Sequence, residues 1–125
     1  MIRRYRHRID HDALKALYAS WGHPEATPAD DQLPLVGCIS PVAAMFLYKT
    51  DSTLCSLEHA ITLRGAEGRR KDIHEMVDYL VAEAHKSGFK RCFVYCGSDN
   101  AMERAIATGF RLSNEPHRWQ LEREL

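Results

Sequence analysis

The sequence predicts an α/β (α+β) fold, with a mixed and mostly antiparallel sheet flanked by helices. Three observations support this. Short segments alternate apolar and polar residues or are wholly apolar, as in strands. Longer segments repeat apolar residues at the 3.6-residue period of a helix. Three strand-like segments follow one another in the middle of the chain, which favours an antiparallel meander. At 125 residues we expect a single domain over positions 1–125.

The first third of the chain predicts a strand, a helix and an acidic connection. Residues 2–8 alternate apolar and polar side chains, which indicates an Arg-rich, partly exposed strand. Asp10 or Asp12 can cap the helix that follows, and Gly22 with Pro24 ends it. The apolar face of this helix comprises Leu14, Leu17, Tyr18 and Trp21. Residues 23–34 are rich in Pro, Asp and Glu and are typical of a solvated loop.

The remaining elements follow from apolar runs and from turn residues. Strands are predicted over 35–40, 43–49 and 54–63, with a polar turn at 50–53. Asp72 and Glu75 are spaced as a capping box for a long helix that Gly88 ends. The rest of the chain predicts a buried strand over 91–96, a helix from Ser98 to Thr108, and short strands over 110–112 and 117–122.

Composition excludes several classes of function. Seventeen Lys and Arg balance seventeen Asp and Glu, so the chain lacks the excess positive charge of a general nucleic-acid binder. Its longest apolar run is far shorter than the roughly 18 residues of a membrane span. The basic start is not followed by the apolar stretch of a secretion signal, so we expect a cytoplasmic protein.

The cysteines favour reduced core thiols over a metal site or a disulfide framework. Cys38, Cys55, Cys92 and Cys96 are scattered through apolar segments. Cys92 and Cys96 lie four apart on a predicted strand, roughly 13 Å from each other at about 3.3 Å per residue. Zinc ligands come in closer pairs, so no metal is expected.

From residue 54 to Phe110 the element order resembles that of the GCN5-related N-acetyltransferase (GNAT) superfamily. The matching features are a strand, an Arg/Gly-rich turn, a helix that ends in Gly88-Phe89, the strand over 91–96, and a helix that ends in Gly109-Phe110. The start of the chain is also similar to the family's opening strand and helix. The resemblance implies the acyl-CoA N-acyltransferase fold and acetyl-CoA as co-substrate.

The resemblance also implies where coenzyme A would bind. The family's turn binds pyrophosphate through backbone N–H groups and the positive end of the next helix. Its pattern is Gln/Arg-x-x-Gly-x-Gly/Ala. Counting back from Phe89 puts Gly68 at the leading Gln/Arg position of this pattern. The same count puts Lys71 and Ile73 at its two glycine positions. Both glycines and the leading Gln or Arg are therefore missing by this count, although the turn supplies three cations. The cofactor-binding residues that the resemblance implies are Leu63, Gly68, Arg69, Arg70, Lys71, Asp72, Ile73 and Asn100.

Acetyl transfer needs a neutral amine, so a general base is useful beside the thioester. The resemblance places His59 or its neighbour Glu58 in that role. Residues adjacent on a regular strand face opposite sides, so only one would face the cleft unless the strand contains a bulge. The family's usual acid is a Tyr where this chain has Ala105, which leaves Ser98, Tyr95 or water to protonate the thiolate. We expect Tyr95 to pack against a neighbouring element.

The sequence therefore predicts an N-acetyltransferase that uses acetyl-CoA and acts on a small-molecule or peptide amine. A degenerate member that serves as a binding or assembly module is the alternative. Exposed sheet edges favour a homodimer. The loop after the first helix carries Glu25, Asp30 and Asp31 near Trp21 and His23. One interpretation is that these carboxylates attract a cationic amine substrate. The alternative is an acidic, solvated loop with Trp21 in the core.

Overall fold

The computed structural model describes residues 1–96, 99–112 and 119–124, with the side chains at 96, 99, 112, 119 and 120 outside the description. Ser98 and His117 therefore lie outside the described residues. The helices are α1 (His11–Ala19), α2 (Arg69–Lys86) and α3 (Asp99–Ala107), with 3₁₀ turns at Pro24–Ala26 and Asp30–Gln32. The strands are β1 (Arg3–Arg4), β2 (Val36–Ser40), β3 (Ala43–Lys49), β4 (Leu54–Thr62), β5 (Arg91–Cys96), β6 (Arg111–Leu112) and β7 (Trp119–Glu124).

The described strands form one seven-stranded sheet in the order β1-β2-β3-β4-β5-β7-β6. Strands β4 and β5 are parallel, and the other neighbouring strands are antiparallel. A parallel pair needs a crossover connection, which α2 supplies between β4 and β5. The mixed, mostly antiparallel sheet with flanking helices is the predicted fold.

The first strand is much shorter than the predicted span of 2–8. The Tyr5 N–H still donates to the Gly37 carbonyl at 2.8 Å. The Arg6 N–H donates instead to the Asp10 carboxylate at 2.6 Å, which turns the chain away from β2. Asp10 precedes α1, as expected for its cap, but its carboxylate binds Arg6 and Arg3 rather than the N–H groups of the helix.

Helix α2 begins four residues before the predicted start. Gly68 takes a left-handed conformation with φ +80° at the N-cap, where a side chain would be strained. Asp72 is therefore inside the first turn of α2 and is buried, so the predicted capping box with Glu75 is wrong. The helix ends before Gly88 (φ +87°), as predicted.

Each face of the sheet has its own apolar core. Side chains of β3 alternate between the two, because successive residues on a strand face opposite sides. Met45 and Leu47 join the core under α2, whereas Ala44 and Phe46 join the smaller core under α1. Gly37 of β2 lies directly opposite Phe46, whose ring would clash with any Cβ there.

The described cysteines are core thiols. Cys38, Cys55 and Cys92 are free and buried in the core under α2. Burial raises the pKa of the Cys38 thiol to about 12. The pKa of Cys92 is also raised, by its hydrogen bond with Cys55 and by burial. Neutral thiols such as those of Cys38 and Cys92 are poor nucleophiles and poor metal ligands.

Candidate active site

Strands β4 and β5 separate halfway along their length. They pair from Leu54 with Arg91 to Leu57 with Val94. Beyond that point β4 continues along β3, while β5 continues along β7. From Glu58 onward, β4 therefore has no described strand on its β5 side, and the Thr62 carbonyl at its end accepts from the Trp21 indole N–H.

A bulge in β4 lies where the two strands separate. Phe46 of β3 pairs with Glu58, but Ala44 pairs with Ile61, so three steps along β4 match two along β3. His59 is the irregular residue, with φ +55°. The bulge changes the direction in which the following side chains point and supports the separation of β4 from β5.

The gap between the strands opens a cleft of about 320 Å³, which we call the β4–β5 cleft. Its walls are mostly apolar, and Arg104 is the one charged side chain among the described residues that line it. Helix α2 supplies Ile73 and Val77. The residues that line it from α3 and the turn after it are Ala101, Arg104, Ala105 and Thr108.

These α3 residues were missed in the sequence, apart from Ala105. Their spacing of three, four and seven marks one face of a helix. From the sequence alone, this spacing predicts only that one face of α3 packs against the rest of the protein. The face can be recognised as a cleft wall only when the separation of β4 and β5 is known. Asn100, which was predicted to contact the cofactor, is exposed and lies outside the cleft lining.

The turn before α2 is open, and it connects Thr62 of β4 to α2, whose residue Ile73 lines the cleft with Thr62. Gly65 and Gly68 both have positive φ, and no other group lies within 4 Å of the place where their Cβ atoms would be. The first helical bond runs from the Asp72 N–H to the Gly68 carbonyl. Within the described residues, the N–H groups of Arg69, Arg70 and Lys71 have no acceptor. The arrangement can bind an anion at the positive end of α2.

The structure changes the roles of three predicted cofactor residues. Lys71 and Ile73 were placed in the turn by counting back from Phe89, but both lie within α2. Ile73 instead lines the cleft with its side chain. The Leu63 N–H already donates to the Val42 carbonyl at 2.8 Å, so it is not free for a ligand.

Glu58 and His59 lie on the same side of the sheet because of the bulge. Glu58 is the register partner of Phe46, and the His59 ring contacts Phe46 and Tyr48. His59 Nε2 lies 3.3 Å from the Tyr48 hydroxyl. The Glu58 carboxylate has no hydrogen-bonding or ionic partner in the part of the chain that is described. Neither residue lines the β4–β5 cleft itself, although the adjacent Ala60 does.

Two positions that the sequence resemblance connects with a general acid line the cleft. Ala105 faces the cleft, so this wall carries a methyl group where the family has a phenol. Tyr95 also lines the cleft and is 61% exposed. The expectation that Tyr95 packs against a neighbouring element is wrong, because β5 has already parted from β4 at this residue.

Trp21 and the acidic loop are arranged differently from either expectation. Trp21 follows α1 rather than belonging to its apolar face, and its exposed ring lines the cleft. Asp30 is already used within the fold: it accepts hydrogen bonds from the Tyr5 hydroxyl at 3.1 Å and from the Arg8 N–H. Glu25 pairs with His23 on the surface, with 3.3 Å between the carboxylate and Nδ1.

Two further properties concern the whole described chain. No group of three or more His, Cys, Asp or Glu side chains in residues 1–96, 99–112 and 119–124 is arranged to hold a metal ion. Across the same residues, no helix is both long and apolar enough to cross a bilayer.

The chain has the fold of the GNAT N-acetyltransferases. The aminoglycoside 6'-N-acetyltransferase from Enterococcus faecium matches with a TM-score of 0.76 at 11% identity, over 99% of this chain and 96% of that one. A GNAT acetyltransferase from Staphylococcus aureus matches with a TM-score of 0.73 at 16% identity, over 100% and 98%. PaiA N-acetyltransferase from Thermoplasma acidophilum, solved in complex with coenzyme A, has a TM-score of 0.72 at 10% identity, over 100% and 98%.

These likenesses establish the fold, which hosts enzymes of different substrates. No protein family model matches the sequence, and no curated protein matches it significantly.

Proposed function

We propose that this chain is a GNAT superfamily member, a single domain over residues 1–125, that transfers the acetyl group of acetyl-CoA to a primary amine. The observation that carries the proposal is the separation of β4 and β5, which opens an apolar cleft beside the free N-terminus of α2. An acyl-pantetheine chain needs an apolar channel, and a pyrophosphate needs N–H donors and positive charge. Both are present in adjacent parts of one site.

In this proposal the pyrophosphate binds at the start of α2. The N–H groups of Arg69, Arg70 and Lys71 donate to its oxygens, and the side chains supply positive charge. Gly68 leaves space for close approach. Asp72 is directed into the protein, with 7% of its surface exposed, so its carboxylate does not occupy this space. The pantetheine arm then runs along Ile73 towards the strand gap.

The transfer itself requires movement of two protons. The amine enters the site neutral, and His59 accepts the proton that the nitrogen loses as the amide forms, with Glu58 as the second candidate base. The amine nitrogen bonds to the thioester carbonyl carbon, and the C–S bond breaks. The thiolate of coenzyme A takes a proton from Tyr95 or from water, and exposed Tyr95 regains its proton from solvent.

A binding or assembly module remains the second candidate. The feature that favours it is Ala105, which gives the cleft a methyl group in place of the family's acid. Such a protein would retain the scaffold without turnover. Its cleft would not need to accept the thioester.

Calorimetric titration with acetyl-CoA separates the two functions. We expect a single saturable site, and the absence of heat at millimolar acetyl-CoA would favour the module. Release of free thiol in the presence of polyamines, aminoglycosides, amino acids or peptides then tests transfer. Thiol release without an acetylated amine would indicate hydrolysis instead.

We also propose a cytoplasmic homodimer. Buried reduced thiols fit a reducing compartment, and the two-residue strands β1 and β6 leave sheet edges that a second copy could cover. Size-exclusion chromatography with light scattering should return twice the mass of 14.3 kDa. A monomer would reject the dimer.

A further inference from the structure

Tyr48 connects the candidate base His59 to the loop before β2. The Tyr48 hydroxyl donates to the Gln32 carbonyl at 2.9 Å. The same oxygen lies 3.3 Å from His59 Nε2, and the centroids of the two rings are 5.7 Å apart. The three groups form a short chain from a backbone carbonyl to the imidazole.

This chain determines which imidazole nitrogen carries the proton. A phenol has one proton, and a carbonyl oxygen can only accept. The Tyr48 proton is therefore directed to Gln32, and its oxygen must accept from His59. Nε2 then carries the hydrogen, which leaves the lone pair of the neutral ring on Nδ1. Among the described residues, no group bonds to Nδ1.

The imidazole is also held from a second direction. The ring of Phe46 meets it edge-on, with centroids 6.2 Å apart and an interplanar angle of 79°. Phe46 is fully buried and fits against Gly37, so it cannot easily move aside. Together with the bulge at His59, these contacts orient the ring before any substrate arrives.

We propose that Tyr48 is a positioning residue that holds His59 with its proton on Nε2 and so makes Nδ1 the basic atom. The role of Nδ1 in transfer rests on the proposed function, whereas the tautomer does not. In the reaction Nδ1 takes the proton of the amine, and the imidazolium keeps its Nε2–H on Tyr48. Nδ1 later releases its proton to water, which restores the starting state.

Nitrogen-15 NMR of the whole protein tests the tautomer without any substrate. The chain has seven His, so the signals of His59 are identified by their loss in His59→Gln. We expect a slowly exchanging proton on Nε2 that Tyr48→Phe makes exchange rapidly. Tyr79→Phe is the matched control, since Tyr79 is a partly buried residue of α2 away from His59, and it should change nothing. A proton on Nδ1, or no change in Tyr48→Phe, overturns the assignment.

Kinetics test the link to transfer. Tyr48→Phe should lower kcat about tenfold with the KM for acetyl-CoA unchanged, as for other partners that orient a functional histidine. In a His59→Ala background the same substitution should have no further effect, because Tyr48 acts through His59. An unchanged kcat, or equal effects in both backgrounds, rejects the role. If the wild-type protein turns over no amine, the proposed function fails while the NMR result still decides the tautomer.

Discussion

The indole N–H of Trp21 donates to the carbonyl of Thr62 at 2.6 Å and so joins the chain after α1 to the end of β4. Ser20 strengthens the connection, because its hydroxyl accepts from the Arg64 N–H at 3.0 Å. The Arg64 guanidinium lies over the indole, 5.5 Å from the ring centroid. Trp21 thereby becomes a wall of the β4–β5 cleft.

The first prediction concerns this wall. Trp21→Phe keeps an aromatic surface but removes the hydrogen bond to Thr62, so the ring loses its fixed orientation. We expect the KM for the amine to rise severalfold while the affinity for acetyl-CoA changes little. Steady-state kinetics and calorimetry measure the two quantities separately. Loss of acetyl-CoA binding with an unchanged KM for the amine would place Trp21 at the cofactor instead.

A second prediction addresses the phosphate site. Replacing both Arg69 and Arg70 with Ala should weaken acetyl-CoA binding about tenfold, since exposed charge contacts each contribute roughly 0.2–1 kcal/mol. Affinity of the wild-type protein should also fall as salt rises from ~0.05 to ~0.5 M. Lys86→Ala, at the opposite end of α2, is the matched control. Equal dissociation constants for the double variant and the wild-type protein would move the phosphates elsewhere.

The third prediction distinguishes the two candidate bases. His59→Ala should lower kcat by about 10²-fold or more and leave acetyl-CoA affinity intact. Glu58→Gln should then have a small effect, because the bulge places both residues on one face and His59 alone is held by Tyr48. The reverse ranking would assign the base to Glu58.

Local patterns predicted the regular elements well. Strands β3 and β5 begin and end at the predicted residues, because each is an apolar run between polar or turn residues. The start of α2 was not predictable in this way. Asp72 has the composition of a cap, but the left-handed turn at Gly68 begins the helix earlier. The start of α2 is therefore set by the backbone conformation of the turn, which the capping preference of a side chain does not predict.

The candidate site depends on how β4 pairs with β3 and β5, and the sequence of one strand does not show this pairing. The bulge at His59 exists because β4 must match β3 while separating from β5. The same separation exposes Tyr95 and brings Arg104 to the cleft. The charge of Asp30 suggested a substrate contact, yet its partners are Tyr5 and the Arg8 backbone, more than twenty residues away in the sequence.

Asp30 therefore carries the fourth prediction, which concerns stability. Asp30→Asn should lower the free energy of unfolding by about 1–2 kcal/mol, because a charge-assisted acceptor of two hydrogen bonds is lost. The preference among amines should not change. Urea denaturation of this variant beside Asp31→Asn, whose exposed side chain serves as the control, measures the difference. A changed amine preference with unchanged stability would restore the acidic loop as an acceptor site.

The last prediction concerns the dependence of stability on pH. Hydrogen bonds from Arg3 lower the pKa of the Asp10 carboxyl, burial opposes this effect, and bonds from Arg6 add to it. The bonds from Arg3 are bidentate, at 2.6 Å each. A carboxyl whose pKa is lower in the folded state stabilises fully above its unfolded value of about 4, and this contribution is lost as the pH falls towards the folded value.

Asp10→Asn should therefore lower the free energy of unfolding by about 2 kcal/mol near pH 7. Breaking a wholly buried ion pair would lower it more, but solvent screens this pair because Arg3 is half exposed. The gap between variant and wild type should narrow as the pH falls from ~5 to ~2, since the wild-type carboxylate is then being protonated. Urea denaturation at each pH measures the gap, with the exposed Asp12→Asn variant as control. A gap that stays constant over this range would show that the Arg3–Asp10 ion pair does not contribute to stability through its charge.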